Sequence, residues 1–156
     1  MGDHEVMATP RSLLVDPEQP LCYHLVSRCV RRAWLCGCNG ERNYAYRKRW
    51  IEQRLIRLAE AFAVDVLAFA IMSNHFHLVV YFDPNASKLW SLRDVAERWL
   101  RAFPVSDAEH EEAVERLLTQ PARLHRYRER LGSLSAFMQH LKQPIAVRIN
   151  REDSVK

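Results

Sequence analysis

Polar and apolar residues alternate from Leu21 to Val30, LCYHLVSRCV, so that Cys22, His24, Val26 and Arg28 share one side of a predicted strand. From Ala45 to Phe62 the spacing lengthens. Ile51, Leu55, Leu58 and Phe62 recur at helical intervals, with Arg49, Gln53 and Arg57 as a polar row on another side. Two more strands are predicted at Val64 to Met72 and His75 to Phe82, separated by Ser73-Asn74, a two-residue break that fits a hairpin but lacks the usual glycine. After Asp83-Pro84 the period is helical for the rest of the chain. Ser91 and Asp94 have capping-box spacing, Trp90 and Val95 occupy staple positions, and Leu92, Ala96, Trp99 and Phe103 continue one apolar face. Ala108 to Leu118 and Leu134 to Leu141 are predicted as further helices, with a kink or a restart at Pro144. The pattern is α+β, with a sheet of at least three strands.

Length and composition bound this picture. A chain of 156 residues, 48% hydrophobic, fits one compact domain. Residues 1–20 are expected to form a flexible leader, 21–152 the domain and 153–156 a tail. The sequence has no apolar run of about 18 residues and no basic start followed by an apolar block, so a cytoplasmic protein without membrane contact is expected. Cys22, Cys29, Cys36 and Cys38 crowd the first quarter, unlike a secreted disulfide framework, and Cys36-Gly-Cys38 is spaced more tightly than zinc ligands. The net charge is +4 but unevenly spread. Arg28, Arg31, Arg32, Arg42, Arg47, Lys48, Arg49, Arg54 and Arg57 face only Glu41 and Glu52, a local excess of seven that leaves the remainder acidic by three. Trp34, Tyr44, Tyr46 and Trp50 are interleaved with these charges. Cations mixed with aromatic rings suit single-stranded nucleic acid, and equally suit a solvated helix face.

The candidate chemistry lies in AIMSNHFHLVVYF, Ala70 to Phe82. On a strand His75 and His77 project from one side, about 7 Å apart, while Phe76, Leu78 and Val80 take the other. Two imidazoles so placed are able to share one metal ion; a bare His-x-His also occurs as a pair of solvated strand histidines. The flanking residues extend the pattern. YHLVSRCVRRAWLCG (Tyr23 to Gly37), AIMSNHFHLVV and LSAFMQHLKQPIAVRINRE (Leu134 to Glu152) resemble, in this order, three motifs of the HUH endonuclease superfamily. The likeness is to the REP-associated tyrosine transposases and the wider IS200-like single-strand transposases.

That resemblance implies a ferredoxin-like antiparallel sheet with helices packed on it, and metal-assisted transesterification of single-stranded or hairpin DNA. In the family His75, His77 and a third polar ligand would hold a divalent cation, Mg2+ or Mn2+, and a tyrosine would form a 5′-phosphotyrosyl linkage. Imidazole donors suit manganese better than magnesium. Arg28, Arg31, Arg32, Arg47, Lys48, Arg49 and Asn74 are the expected DNA contacts. The family's nucleophile stretch, Tyr-[Ile/Val]-x-x-Asn-Pro, is not found in the sequence. Tyr23, Tyr44, Tyr46, Tyr81 and Tyr127 are followed four residues on by Ser27, Lys48, Trp50, Asn85 and Leu131. The sequence therefore reads as a C-terminally truncated member whose catalytic tyrosine lies beyond Lys156. Two readings stay open: a transposase or nickase using an unorthodox tyrosine or one supplied in trans by a full-length relative, and an inactive remnant that binds repetitive hairpin DNA and metal without cutting.

Overall fold

The computed structural model describes residues 15, 16, 18–28, 34–38, 40 and 42–154. Strand β1 (Leu21–Arg28) leads through a loop to helix α1 (Ala45–Ala59), then to β2 (Val64–Ile71) and β3 (His75–Phe82). β3 lies between the other two and runs antiparallel to both, so β1 and β2 are parallel with a strand inserted between them. The hairpin forms as the pattern predicts: Met72 donates its amide to the His75 carbonyl at 2.8 Å, leaving Ser73-Asn74 as the turn. The Leu35 amide bonds to the Ser73 carbonyl at 2.5 Å and ties the turn down without a glycine. A bulge between Val66 and Ala68 leaves Leu67 unpaired and shifts the β2 register by one.

Helices follow the sheet. After a short 3-10 turn at Ala86–Leu89 come α2 (Leu92–Ala102), α3 (His110–Leu118), α4 (Pro121–Leu131) and α5 (Leu134–Ser154). The capping box forms at α2, where Asp94 N–H bonds to Ser91 Oγ at 3.1 Å and the Asp94 carboxylate accepts the Ser91 amide at 2.8 Å. The Ser91 hydroxyl also donates to Asp94 Oδ2 at 2.7 Å, and this bond first, then the one from the Ser91 amide, holds the Asp94 carboxyl below its ordinary range. The buried residues of α2 are Val95, Ala96, Leu100 and Ala102; Trp99 is half-buried, its ring stacked on Tyr127 at 3.6 Å. α4 was not anticipated as a separate element, although Pro121 at its first turn and Gly132 after its end mark both termini. Gly132 also has a packing reason, because a Cβ there would meet Ser87 Oγ and stand 2.9 Å from Ser87 Cβ.

Four boundaries differ from expectation: β2 stops at Ile71 and not Met72, α3 starts at His110 after a 3-10 turn at Asp107–Glu109 and not at Ala108, and the ends of α1 and α5 move further. α1 ends at Ala59, and Phe62 reaches the core from the following turn. α5 continues unbroken through Pro144, with no restart, and takes in Glu152 and Asp153. Proline removes the amide that would bond to the His140 carbonyl; Arg54 Nε supplies a donor to that oxygen at 3.3 Å, and Arg54 Nη1 bonds to the Ala102 carbonyl at 3.2 Å. One apolar cluster runs from Leu25, Leu78 and Val80 of the sheet through Ile51, Leu55 and Leu58 of α1 to Leu124, Phe137 and Leu141 of the later helices. Among the described residues no helix is long and apolar enough to cross a membrane.

Candidate functional site

Period-two alternation divides the sheet into unlike faces. Leu25, Ser27, Phe76, Leu78, Val80 and Phe82 are buried toward the helices, whereas His24, Val26 and Arg28 are exposed and His75, His77 and Val79 half-exposed on the other side. The register puts Arg28 directly opposite His75 and Val26 opposite His77. His24, opposite Val79, is then the diagonal neighbour of His77. Its Nε2 lies 2.9 Å from His77 Nδ1, with the rings stacked at 5.2 Å and 18°. His75 and His77 have ring centroids 5.0 Å apart. Three imidazoles and one guanidinium thus share the uncovered face of the sheet.

The hydrogen bonds constrain the tautomers. Asn74 Oδ1 sits 2.7 Å from His75 Nδ1 and offers only lone pairs, so Nδ1 carries the hydrogen and a neutral His75 keeps its lone pair on Nε2. If His77 likewise donates through Nδ1 to His24, its Nε2 lone pair also points away from the partner. Both arrangements have the form of outer hydrogen bonds that orient metal-binding histidines. Among the described residues no group of three or more His, Cys, Asp or Glu side chains is placed to hold a metal ion. Within that limit His75 and His77 are a pair of neighbouring imidazoles, with no third described side chain that completes a metal site.

The expected DNA contacts do not form one surface. Arg28 stands on the histidine face. Arg31 and Arg32 lie outside the described residues. Lys48 and Arg49 are exposed on α1, which packs on the opposite face of the sheet, and Lys48 is 3.7 Å from Glu52. Arg47 is a correction: only 1% exposed, it cannot reach a surface ligand. It bonds to the Trp34 carbonyl at 2.8 Å, to Asp153 at 2.8 Å and to Glu152 at 3.1 Å, beneath the Tyr44 ring. Burial works to lower its pKa, but the hydrogen bonds and charges of Asp153 and Tyr46 outweigh it and raise the value. A sequence signal was present, since Arg47 precedes Ile51 by four residues and so extends the apolar stripe of the helix. His24 was missed as a member of the cluster because its place depends on pairing with a strand 53 residues away.

The tyrosines have other settings. Tyr23 accepts the Asp16 amide at 2.9 Å, Tyr46 donates to Glu152 at 2.9 Å, and Tyr44 is buried. Tyr127 accepts from Arg123 Nε at 2.5 Å. Tyr81 shares the histidine face but lies four residues beyond His77, about 13 Å along the strand. Compared with protein-family models, curated proteins and solved structures, the chain matches none of them.

Proposed function

We propose that the chain is a single-stranded or hairpin DNA-binding protein of the HUH transposase kind, using the uncovered face of its sheet. The observation that carries this reading is the projection of His75 and His77 from the central strand onto that face, with Arg28 opposite His75. The strand order, with α1 linking two parallel strands around β3, agrees with the ferredoxin-like sheet that the sequence motifs imply. His75 and His77 would hold the divalent cation through Nε2, with Asn74 and His24 orienting them. A cation held there supplies Lewis acidity and a fixed point for a phosphoryl oxygen. Arg28 adds a planar donor for a second phosphate oxygen.

Of the two chemical outcomes, binding without cleavage is favoured. None of the five tyrosines is set against the histidine pair, and the in-line step then lacks the proximity advantage, worth about 7–11 kcal/mol of barrier. The test is calorimetric titration with Mn2+, followed by a denaturing gel of the protein incubated with labelled hairpin DNA and Mn2+. We expect His75→Ala or His77→Ala to weaken Mn2+ binding roughly tenfold or more, His24→Phe to weaken it less, and no covalent adduct to form. Equal affinity in the parent and the double alanine variant would sink the metal half-site. An adduct lost on changing one tyrosine to phenylalanine would establish the transposase reading instead.

A further inference from the structure

Away from the histidine face, α1 and α5 enclose a cleft of about 200 Å³ lined by Trp50, Gln53, Arg54, Arg57, Ile145 and Arg148, with Pro144 at its wall. Three guanidinium groups meet here and, among the described residues, no carboxylate lines the cleft. The acids of the two helices are engaged elsewhere: Glu52 by Lys48, and Glu152 and Asp153 by Arg47. Arg57 and Arg148 have no ion pair among the described residues. The Arg148 guanidinium lies 3.5 Å over the Trp50 ring, and the stack holds its planar fork in one orientation before anything binds. Arg54 is fixed by the His140 and Ala102 carbonyls, two neutral acceptors that do not balance its charge.

We infer that this cleft is an oxyanion site that takes one phosphate group between Arg57, Arg148 and Arg54. Bidentate guanidinium bonds match the geometry of phosphate oxygens, and pre-stacked or anchored side chains lose less freedom on binding. The volume is below the roughly 300–1,000 Å³ of sites that enclose a whole small molecule, so the group bound is a phosphate and not a complete cofactor. The charge state agrees with this. Burial first, and then the Arg57 charge, lower the Arg54 guanidinium from its ordinary value, as expected of a cation without a counter-ion. A backbone phosphate of a nucleic-acid strand and free orthophosphate share this chemistry.

The site stands independently of the histidine face, and its test reads Trp50 directly. The indole N–H of Trp50, assigned in a 15N spectrum by comparison with Trp50→Phe, is followed during titration with orthophosphate, with a short single-stranded oligonucleotide, and with sodium chloride at matched ionic strength. We expect a saturable shift with at least one of the phosphate-bearing probes and none with chloride. The double variant Arg57→Gln, Arg148→Gln, changed at two solvent-facing positions, should bind roughly tenfold or more weakly while still unfolding in one cooperative transition. Saturation by orthophosphate at the oligonucleotide's affinity identifies a free-phosphate site; a shift with the oligonucleotide alone identifies a backbone site. Silence of Trp50 toward both probes, an equal response to chloride, or unchanged affinity in the double variant overturns the inference.

Discussion

His140 illustrates what one side chain does to the pH response of the protein. Its ring packs edge-on to Phe103 at 4.9 Å and against Phe62 at 6.0 Å, and Nε2 is buried without a hydrogen-bond partner among the described residues. Burial, then the charges of Arg130 and Arg54, lower its pKa from the ordinary 6.5. The unfolded chain therefore takes up a proton at a pH where the folded one does not. Stability from this group is complete above about 6.5 and is lost as the pH falls toward the depressed folded value. Thermal melts at about pH 7.5 and about pH 5.5 should show a larger fall in Tm for the parent than for His140→Phe, each kcal/mol appearing as about 2–4 °C. Equal falls would remove the assigned role. The sequence pattern places His140 three residues after Phe137, at the flank of the stripe of Leu134, Phe137, Met138 and Leu141, but the rings of Phe62 and Phe103 that bury it come from other elements.

At the scale of elements, three helices meet at Arg54. The helix interior tolerates Pro144 because a side chain from α1 takes the place of the missing amide, and the same guanidinium serves the last turn of α2. Arg54→Leu should cost about 1–3 kcal/mol by leaving carbonyls unpaired. Pro144→Ala restores an amide for the His140 oxygen, so the double variant should recover part of that loss, read as a positive coupling in urea denaturation. Additive effects would mean that Arg54 does not stand in for the amide. The strands, α1 and the start of α2 were legible because alternation, the 3.6-residue stripe and the capping box are local signals. α4 was not: in PARLHRYRERL only Leu124 and Leu131 are buried, and the arginines between them leave no continuous stripe. The histidine pair could be read from one strand, whereas His24 and the arginine cleft require two elements to be brought together.

Across the whole molecule, Arg47 fastens the far end of α5 to α1 and to the loop after β1, joining residues more than a hundred positions apart. Shortening the chain after Arg151 would remove both carboxylates and leave a buried guanidinium with the Trp34 carbonyl. The expected loss is about 3 kcal/mol in urea unfolding. Arg47→Met in the shortened chain should regain most of it, since the charge that needs partners is then gone; no recovery would assign the loss to the missing helical turn itself. The same long-range closure explains why the basic residues between Arg28 and Arg57 looked like a single patch in sequence, whereas the described ones separate in space into a histidine-face cation, an internal clasp, an outer helix surface and the cleft between α1 and α5. The two rims of the sheet also differ. β2 carries the bulge at Leu67, which interrupts any regular row of outward amides and carbonyls. β1 pairs with β3 straight through all eight residues and has no strand on its other side among the described residues, so a further extended segment, from this polypeptide or another, would find a regular template along β1 and a broken one along β2.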